Sequence, residues 1–328
     1  MRHVSRSSRW RAVSWLALAL GACGACSDQK ASASASAASL KIGVGTAGGD
    51  FDNLGQALAQ TLRTEQPAYN VEIVSTSGAV SSLESLQEGT SDCGFSYANV
   101  AYEAFRGRLS DEPGPLMHLR GVALVQISPL YFMASRRSPI RDLGDLRGRA
   151  LAVGGRGSAS SRAALLVLKT VGLDAATVQI QNDGFPASFQ RLREGTLDAV
   201  LVLAGQPSKF IAKAAEHDAR LLPLQGPAVD GLRERYPFLR PLSIPARTYF
   251  QQIAAIKTVG IASVLLCRDD VPTQDVRRVT QDWFLTFGRL AKEGRLVDGV
   301  NAAFASATPI PLHPGASNYY RARQVRLR

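Results

Sequence analysis

The sequence predicts an α/β protein made of two similar lobes that face each other across a cleft. The first observation is a repeat: the phrase Glu-Gly-Thr-x-Asp occupies residues 88–92 and returns, 106 residues later, at 194–198. The same offset relates further pairs: Gly48 and Gly154, Gly49 and Gly155, Leu62 and Leu168, Gly78 and Gly184, Ser82 and Ser188, Leu86 and Leu192. Repeats of ~20–50 residues are typical of stacked units, so a repeat this long predicts two similar domains.

The second observation is that both copies follow one order of elements, read from apolar periodicity and turn residues. In the first copy the predicted elements are strand 40–44, glycine-rich turn 45–49, helix 53–63, strand 69–74, polar turn 75–78, helix 81–87 and strand 92–97. In the second copy they are strand 150–153, turn 154–158, helix 161–170, strand 178–181, turn 183–184, helix 187–194 and strand 199–203. Turns at the strand ends of two facing lobes favour a ligand-binding cleft.

Two further apolar strands, 130–134 and 261–267, predict a double crossing between the lobes. Helices 274–291 and 296–304 then return the chain to the first lobe. The predicted domains are therefore 40–133 plus 266–328 for lobe one and 134–265 for lobe two. Two crossing strands form a hinge about which the lobes close.

The N-terminal segment is typical of an export signal. A basic start precedes the apolar core 13–22, which is too short to span a bilayer permanently. Leu20-Gly21-Ala22-Cys23 resembles a bacterial lipoprotein signal, so residues 1–22 are predicted to be cleaved and Cys23 lipidated. A plain secretory signal cut near Ala25 is the alternative. The Ala/Ser-rich segment 23–39 predicts a flexible tether, and the protein is expected in the periplasm or at the cell surface, lipid-anchored to a bacterial membrane.

Composition excludes several classes of function. The formal charge of +11 comes from basic residues spread along the chain, which indicates a solvated surface and no nucleic-acid partner. No His/Cys/Asp/Glu spacing suits a metal and no serine lies in a nucleophile elbow, so we expect no metal, no cofactor and no enzyme activity. Cys93 and Cys267 are interpreted as two buried free thiols, with a disulfide open as the alternative because export permits one.

A Gly-x-Gly-x-x-Gly pattern at residues 43–48 has the local context of a dinucleotide site. The second strand, however, ends at Val74 and is followed by Ser75-Thr76-Ser77-Gly78, with no acid to hold a ribose. We therefore reject a dinucleotide. The glycines still let a backbone approach a ligand closely, and the free N–H groups of a helix start attract anions.

The candidate ligand-binding residues lie in the turns and at the strand ends of both copies. In lobe one they are Gly45, Thr46, Gly48, Gly49, Asp50, Phe51, Ser77, Gly78, Ser81, Tyr97 and Asn99, and in lobe two Arg156, Gly157, Ser158, Phe185, Gly205 and Ser208. The alternatives are structural: a tight turn needed for packing at residues 45–49, helix capping by Ser77 and Ser81, and Phe185 in the core. Asp50 either caps a helix or binds an ammonium or hydroxyl group. Arg156 either holds a carboxylate bidentately or is an exposed surface side chain.

Ordered motifs along the body resemble a known family. They are 43–55, 142–148 before 152–154, 157–158, 203–205, 221–224, 244–249, 309–316 and 319–320. Through them nearly all of residues 40–320 resembles the TAXI-type solute-binding proteins, extracytoplasmic receptors associated with TRAP transporters. The resemblance implies a type II-like periplasmic-binding-protein fold that captures a glutamate-like amino acid or organic acid as a monomer and hands it to a TRAP membrane subunit.

The chain departs from the family pattern inside the expected pocket. The substitutions are Val44, Thr46, Ala47, Asp50, Phe51, Asp52 and Asn53 in the opening, Tyr97-Ala98-Asn99 after the third strand, and residues 156–160 in the second-lobe turn. The pair Asp50 and Asp52 is expected to repel a dicarboxylate. Two rival functions stay open: a ligand-sensing lipoprotein that signals to a sensor kinase, which neighbouring genes would reveal, and an exported enzyme, which would need an acid/base pair in the cleft.

Overall fold

The computed structural model describes residues 38–45, 49–109, 114–217, 219–236, 238–294 and 302–324. The predicted signal peptide, Cys23 and most of the tether lie outside this part of the chain, as do Thr46 and Gly48. The last two tether residues, Ala38 and Ser39, begin the first strand.

Ten strands and ten helices make up the described chain. The strands are β1 Ala38–Val44, β2 Tyr69–Ser75, β3 Cys93–Tyr97, β4 Leu119–Ser135, β5 Ala150–Ala152, β6 Gln179–Gln181, β7 Ala199–Leu203, β8 Ala219–Leu222, β9 Leu239–Ile244 and β10 Ile256–Arg268. The helices are α1 Asp50–Glu65, α2 Ala79–Glu88, α3 Ala98–Phe105, α4 Ala159–Thr170, α5 Phe185–Glu194, α6 Lys209–Glu216, α7 Pro227–Arg235, α8 Thr273–Lys292, α9 Ala302–Ala305 and α10 Pro314–Ala322, with a 3₁₀ turn at Gly144–Leu146. None of these helices combines the length and apolarity needed to cross a bilayer.

The sheet follows the order β2-β1-β3-β10-β4-β7-β5-β6, with β8 against β4 and β9 against β10. Lobe one is built on the parallel strands β2, β1 and β3, and lobe two on the parallel strands β6, β5 and β7. The long antiparallel strands β4 and β10 join them. The predicted α/β fold of two similar lobes joined by two strands is confirmed.

The two long strands change partners along their length. Residues 119–129 of β4 pair with β10, whereas residues 130–135 pair with β7 and β8. Residues 263–267 of β10 pair with β3, and residues 256–261 pair with β9. Each strand therefore runs continuously from one lobe into the other.

The repeated Glu-Gly-Thr phrase ends a helix in both lobes. Gly89 follows α2 with φ 81°, and Gly195 follows α5 with φ 75°. Few residues other than glycine adopt this left-handed conformation, which terminates a helix and releases the chain into the next strand. The repeat in the sequence is therefore a repeat of the fold.

The structure corrects the interpretation of the two body cysteines. Cys93 on β3 and Cys267 on β10 face each other in register, are fully buried and form a disulfide. The free-thiol interpretation is wrong, because the antiparallel pairing of two strands 174 residues apart in sequence brings the two sulfur atoms together.

Candidate functional site: the cleft between the lobes

A cleft of about 1050 Å³ opens where the parallel strands of both lobes end. Its walls are the turns that follow the six parallel strands: β1, β2 and β3 from lobe one, and β5, β6 and β7 from lobe two. The carboxyl ends of parallel strands are the usual place for a binding crevice in an open α/β sheet.

Most of the predicted site residues line this cleft. They are Gly45, Gly49, Asp50, Phe51, Ser77, Gly78, Ser81 and Tyr97 from lobe one, and Arg156, Gly157, Ser158, Phe185, Gly205 and Ser208 from lobe two. Asn99 does not line the cleft. It is only 3% exposed, and its amide donates to the carbonyl of Ala159, a residue of the cleft wall, at 3.3 Å.

Five helices that begin at the cleft have a glycine or serine at the cap position. The residues that precede their first turns, Gly49, Gly78, Ser158, Gly184 and Ser208, all line the cleft. The first N–H groups of a helix have no partner within the helix and carry a partial positive charge. The two lobes therefore direct hydrogen-bond donors into one space, which favours an anionic group there.

The serines at these helix starts have different roles. Ser158 Oγ accepts the Ser161 N–H at 3.1 Å, and Ser208 Oγ accepts the Ile211 N–H at 3.4 Å, so both cap their helices. Helix capping, the structural alternative considered for Ser77 and Ser81, is thus the observed role of these two lobe-two serines. In lobe one the cap position of α2 is Gly78 instead, and Ser77 donates its hydroxyl hydrogen to Ser81 Oγ at 3.0 Å.

The turn between β7 and α6 is held from behind by two buried tyrosines. The Tyr131 and Tyr249 hydroxyl groups are 2.7 Å apart, and the Ser208 N–H donates to Tyr249 Oη at 3.0 Å. Tyr131 also donates to the Gly205 carbonyl at 3.4 Å. Burial raises the pKa of Tyr249, so this network keeps its protons at neutral pH and fixes the lobe-two wall of the cleft.

Asp50 connects the two lobes directly. It is the first residue of α1, and its Oδ2 accepts the N–H of Gly205 from lobe two at 3.0 Å. Gly205 has no room for a side chain, because a Cβ there would overlap the Asp50 carboxylate. Asp50 reaches the water of the cleft, but the surrounding protein desolvates its carboxylate and raises the pKa, and the hydrogen bond from Gly205 offsets only part of this effect.

Comparison with known proteins places the chain in a family. The model of the NMT1-like family matches residues 42–322, which include both copies of the repeat and the whole cleft. The chain belongs to the NMT1-like family.

Solved structures share the fold of this NMT1-like protein. PhnD1 from Prochlorococcus marinus in complex with methylphosphonate is similar with a TM-score of 0.53, at 11% identity over 88% of this chain and 99% of that one. A TctC solute-binding protein from Polaromonas gives 0.51, at 16% identity over 87% and 98%. The periplasmic aliphatic sulphonate-binding protein SsuA from Escherichia coli gives 0.50, at 16% identity over 88% of each chain. The fold is that of periplasmic solute-binding proteins.

Several cleft residues of the NMT1-like chain escaped the sequence prediction. The chemically important ones are Gln126, Gly154, Gly155, Ser160, Arg162, Gln206, Lys209 and Phe210. Gly154 and Gly155 were visible as copies of Gly48 and Gly49. Arg162 and Lys209 lie in the first turns of α4 and α6, and a search for basic residues at predicted helix starts would have found them.

The cleft of this protein carries more positive than negative charge. Among its described lining residues Arg156, Arg162 and Lys209 are basic, and Asp50 is the one acid. Asp52 does not line the cleft; its Oδ1 accepts from the Gln56 amide at 3.3 Å on the surface of α1. Of the two acids predicted to repel a dicarboxylate, Asp50 lines the cleft and Asp52 does not.

Proposed function

We propose that this protein is an extracytoplasmic receptor that captures a small carboxylate-bearing metabolite, an amino acid or organic acid of the glutamate-like class, without changing it chemically. The observation that carries the proposal is the convergence of five helix N-termini and three basic side chains on one cleft. Oriented N–H groups and guanidinium groups replace the water around a carboxylate with little reorganisation.

Capture works by closure of the two lobes. We assign residues 40–133 and 266–328 to lobe one and residues 134–265 to lobe two, with β4 and β10 as the connection that bends. A ligand that touches both walls binds the closed form more tightly than the open form, and this difference in affinity shifts the population towards closure.

The captured solute is then delivered to a membrane partner. The TAXI-like motifs, such as 244–249 and 309–316, support a TRAP-type secondary transporter as that partner. Lipidation at Cys23 and the tether to residue 39 would hold the monomeric receptor at the membrane, in the periplasm or at the cell surface. Membership of the NMT1-like family and the solute-binding fold are consistent with this role.

A thermal-shift screen of residues 23–328 against amino acids and organic acids tests the proposal. A ligand that binds only the folded state raises the melting temperature by mass action, and scattering should show a smaller radius of gyration on its addition. Arg156→Gln should weaken the binding of any carboxylate found by roughly tenfold or more, because a charge-assisted hydrogen bond is lost.

The matched control is Arg193→Gln. Arg193 is an exposed arginine at the end of α5, outside the cleft, and its replacement changes the net charge by the same amount. The proposal fails if no carboxylate shifts the melting temperature, or if Arg156→Gln and Arg193→Gln bind the ligand equally well.

A further inference from the structure

Asp50 occupies an unusual position for an acid in a cleft that otherwise attracts anions. Its carboxylate lies at the junction of the lobes, with Oδ2 3.0 Å from the Gly205 nitrogen. A carboxylate has about four acceptor sites, so one N–H leaves most of its hydrogen-bonding capacity open towards the cleft. An anion that is partly desolvated and incompletely paired is stabilised by a cation placed beside it.

The protein itself supplies the basic groups from the opposite wall. Arg156 lies in the loop that precedes α4, and Arg162 lies in the first turn of that helix. Lys209 lies in the first turn of α6, so all three belong to lobe two. The Arg162 side chain is held in one orientation, because its Nε–H donates to the Gly157 carbonyl at 2.9 Å. The cleft is thus polarised, with the negative charge at the start of α1 in lobe one and the three positive charges among the lobe-two lining residues.

Aromatic rings lie next to the acidic end. Phe51 follows Asp50 in α1, and its ring centroid is 4.9 Å from that of Tyr97, which lies at the end of β3 and also lines the cleft. Burial raises the pKa of Tyr97, and the nearby negative charge of Asp50 raises it further, so the phenol stays protonated. A carboxylate beside aromatic rings is a favourable environment for an ammonium group.

We infer that the ligand is a zwitterion, an amino acid or a related amino-carboxylate, whose ammonium group binds Asp50 and whose carboxylate binds Arg156 and the start of α4. The inference rests on the proposed capture function and narrows its ligand class. Asp50 is then a specificity-determining residue: it selects against organic acids that lack an amine, because their binding would leave its charge unpaired in the closed cleft.

Matched ligand pairs test this inference. Calorimetric titration of residues 23–328 would compare glutamate with glutarate, aspartate with succinate, and alanine with propionate. In the pair that binds best, the amino acid should bind at least about tenfold more tightly than its deaminated partner. A difference of about tenfold in affinity corresponds to the free energy of one charge-assisted hydrogen bond. Asp50→Asn keeps the shape and an acceptor for Gly205, and should reduce this preference to roughly threefold or less.

Asp52→Asn is the control for the loss of a negative charge. Asp52 lies two residues further along α1 and outside the cleft, so the preference for the amino acid should be unchanged. Equal affinities within each pair for the wild type, or an Asp50→Asn variant that keeps the full preference, would overturn the inference while leaving carboxylate capture intact. If no member of any pair binds the wild type, the proposed function and this inference are both overturned.

Discussion

The two lobes share a scaffold but differ in the side chains mounted on it. In lobe one the Asp92 carboxylate accepts the Lys41 N–H at 2.7 Å in the middle of β1. In lobe two the Asp198 carboxylate accepts the Ala150 N–H at 2.8 Å at the start of β5. In each lobe the N–H of the same aspartate returns a hydrogen bond to the carbonyl of that strand residue. The comparison shows that the repeat preserved the residues that set the backbone.

The differences between the lobes include side chains at the cleft and inside the sheet. The turn after β1 presents Asp50 to the cleft, whereas the equivalent turn after β5 presents Arg156. Within the sheet, Cys93 of lobe one is bonded to Cys267, while Ala199 occupies the equivalent position of lobe two. The same backbone arrangement therefore presents a negative side chain to the cleft in lobe one and a positive side chain in lobe two. At the compared strand position, lobe one has a disulfide and lobe two has an alanine.

The largest effect is expected from that crosslink. The Cys93→Ala/Cys267→Ala variant should lose about 2–5 kcal/mol in the free energy of unfolding, because the disulfide restricts a long loop in the unfolded chain. Urea unfolding measures it, and reduction of the wild type under denaturing conditions before refolding should give a similar loss. If the oxidised and reduced proteins unfold at the same urea concentration, the disulfide does not stabilise lobe one.

The local elements were predictable because they depend on neighbours in sequence. Leucines at helical spacing and a glycine after Glu88 or Glu194 indicate a helix and its end without knowledge of the rest of the chain. Most cleft residues followed from this, since turns at strand ends meet at one edge of the sheet. The prediction of α8 as helix 274–291 agrees with the observed Thr273–Lys292 for the same reason.

The failures involve partners far apart in sequence. Asp50 and Gly205 are separated by 155 residues, and only the packing of one lobe on the other puts them in contact. Tyr97 ends β3 and lines the cleft, but α3 starts at once at Ala98, and the Asn99 side chain is buried against the Ala159 carbonyl of lobe two. The disulfide depended on the register between β3 and β10, which no local pattern encodes.

A second difference between the lobes is a buried acid in the C-terminal helices of lobe one. Asp282 of α8 is fully buried and neither carboxylate oxygen has a hydrogen-bond partner of normal geometry. Burial raises its pKa from 3.8 to about 6; Glu65 adds to this, and Gln66 and Arg278 offset part of it. The folded state thus binds the proton more tightly than the unfolded state. This stabilisation is complete below about pH 4 and is lost as the pH rises through about 6.

Asp282→Asn should remove this pH dependence. At pH 8 the variant should be more stable than the wild type by about 1–3 kcal/mol, because no charge has to be buried, and at pH 4 the two should be nearly equal. Melting temperatures across this range measure the effect. A gain of equal size at both pH values would mean that packing, and not ionisation, is responsible.

The smallest expected effects test whether the two aspartate contacts are equivalent. Asp92→Ala and Asp198→Ala should each cost about 1–2 kcal/mol, since each removes a hydrogen bond from a strand N–H to a charged acceptor. Asp198 also lies 3.6 Å from Arg149, but both side chains are well exposed, so that ion pair adds little. Glu72→Ala, at an exposed site on β2, is the control and should change stability by no more than about 0.5 kcal/mol. If only one of the two aspartates matters in urea unfolding, the lobes share their backbone path without sharing the interaction that stabilises it.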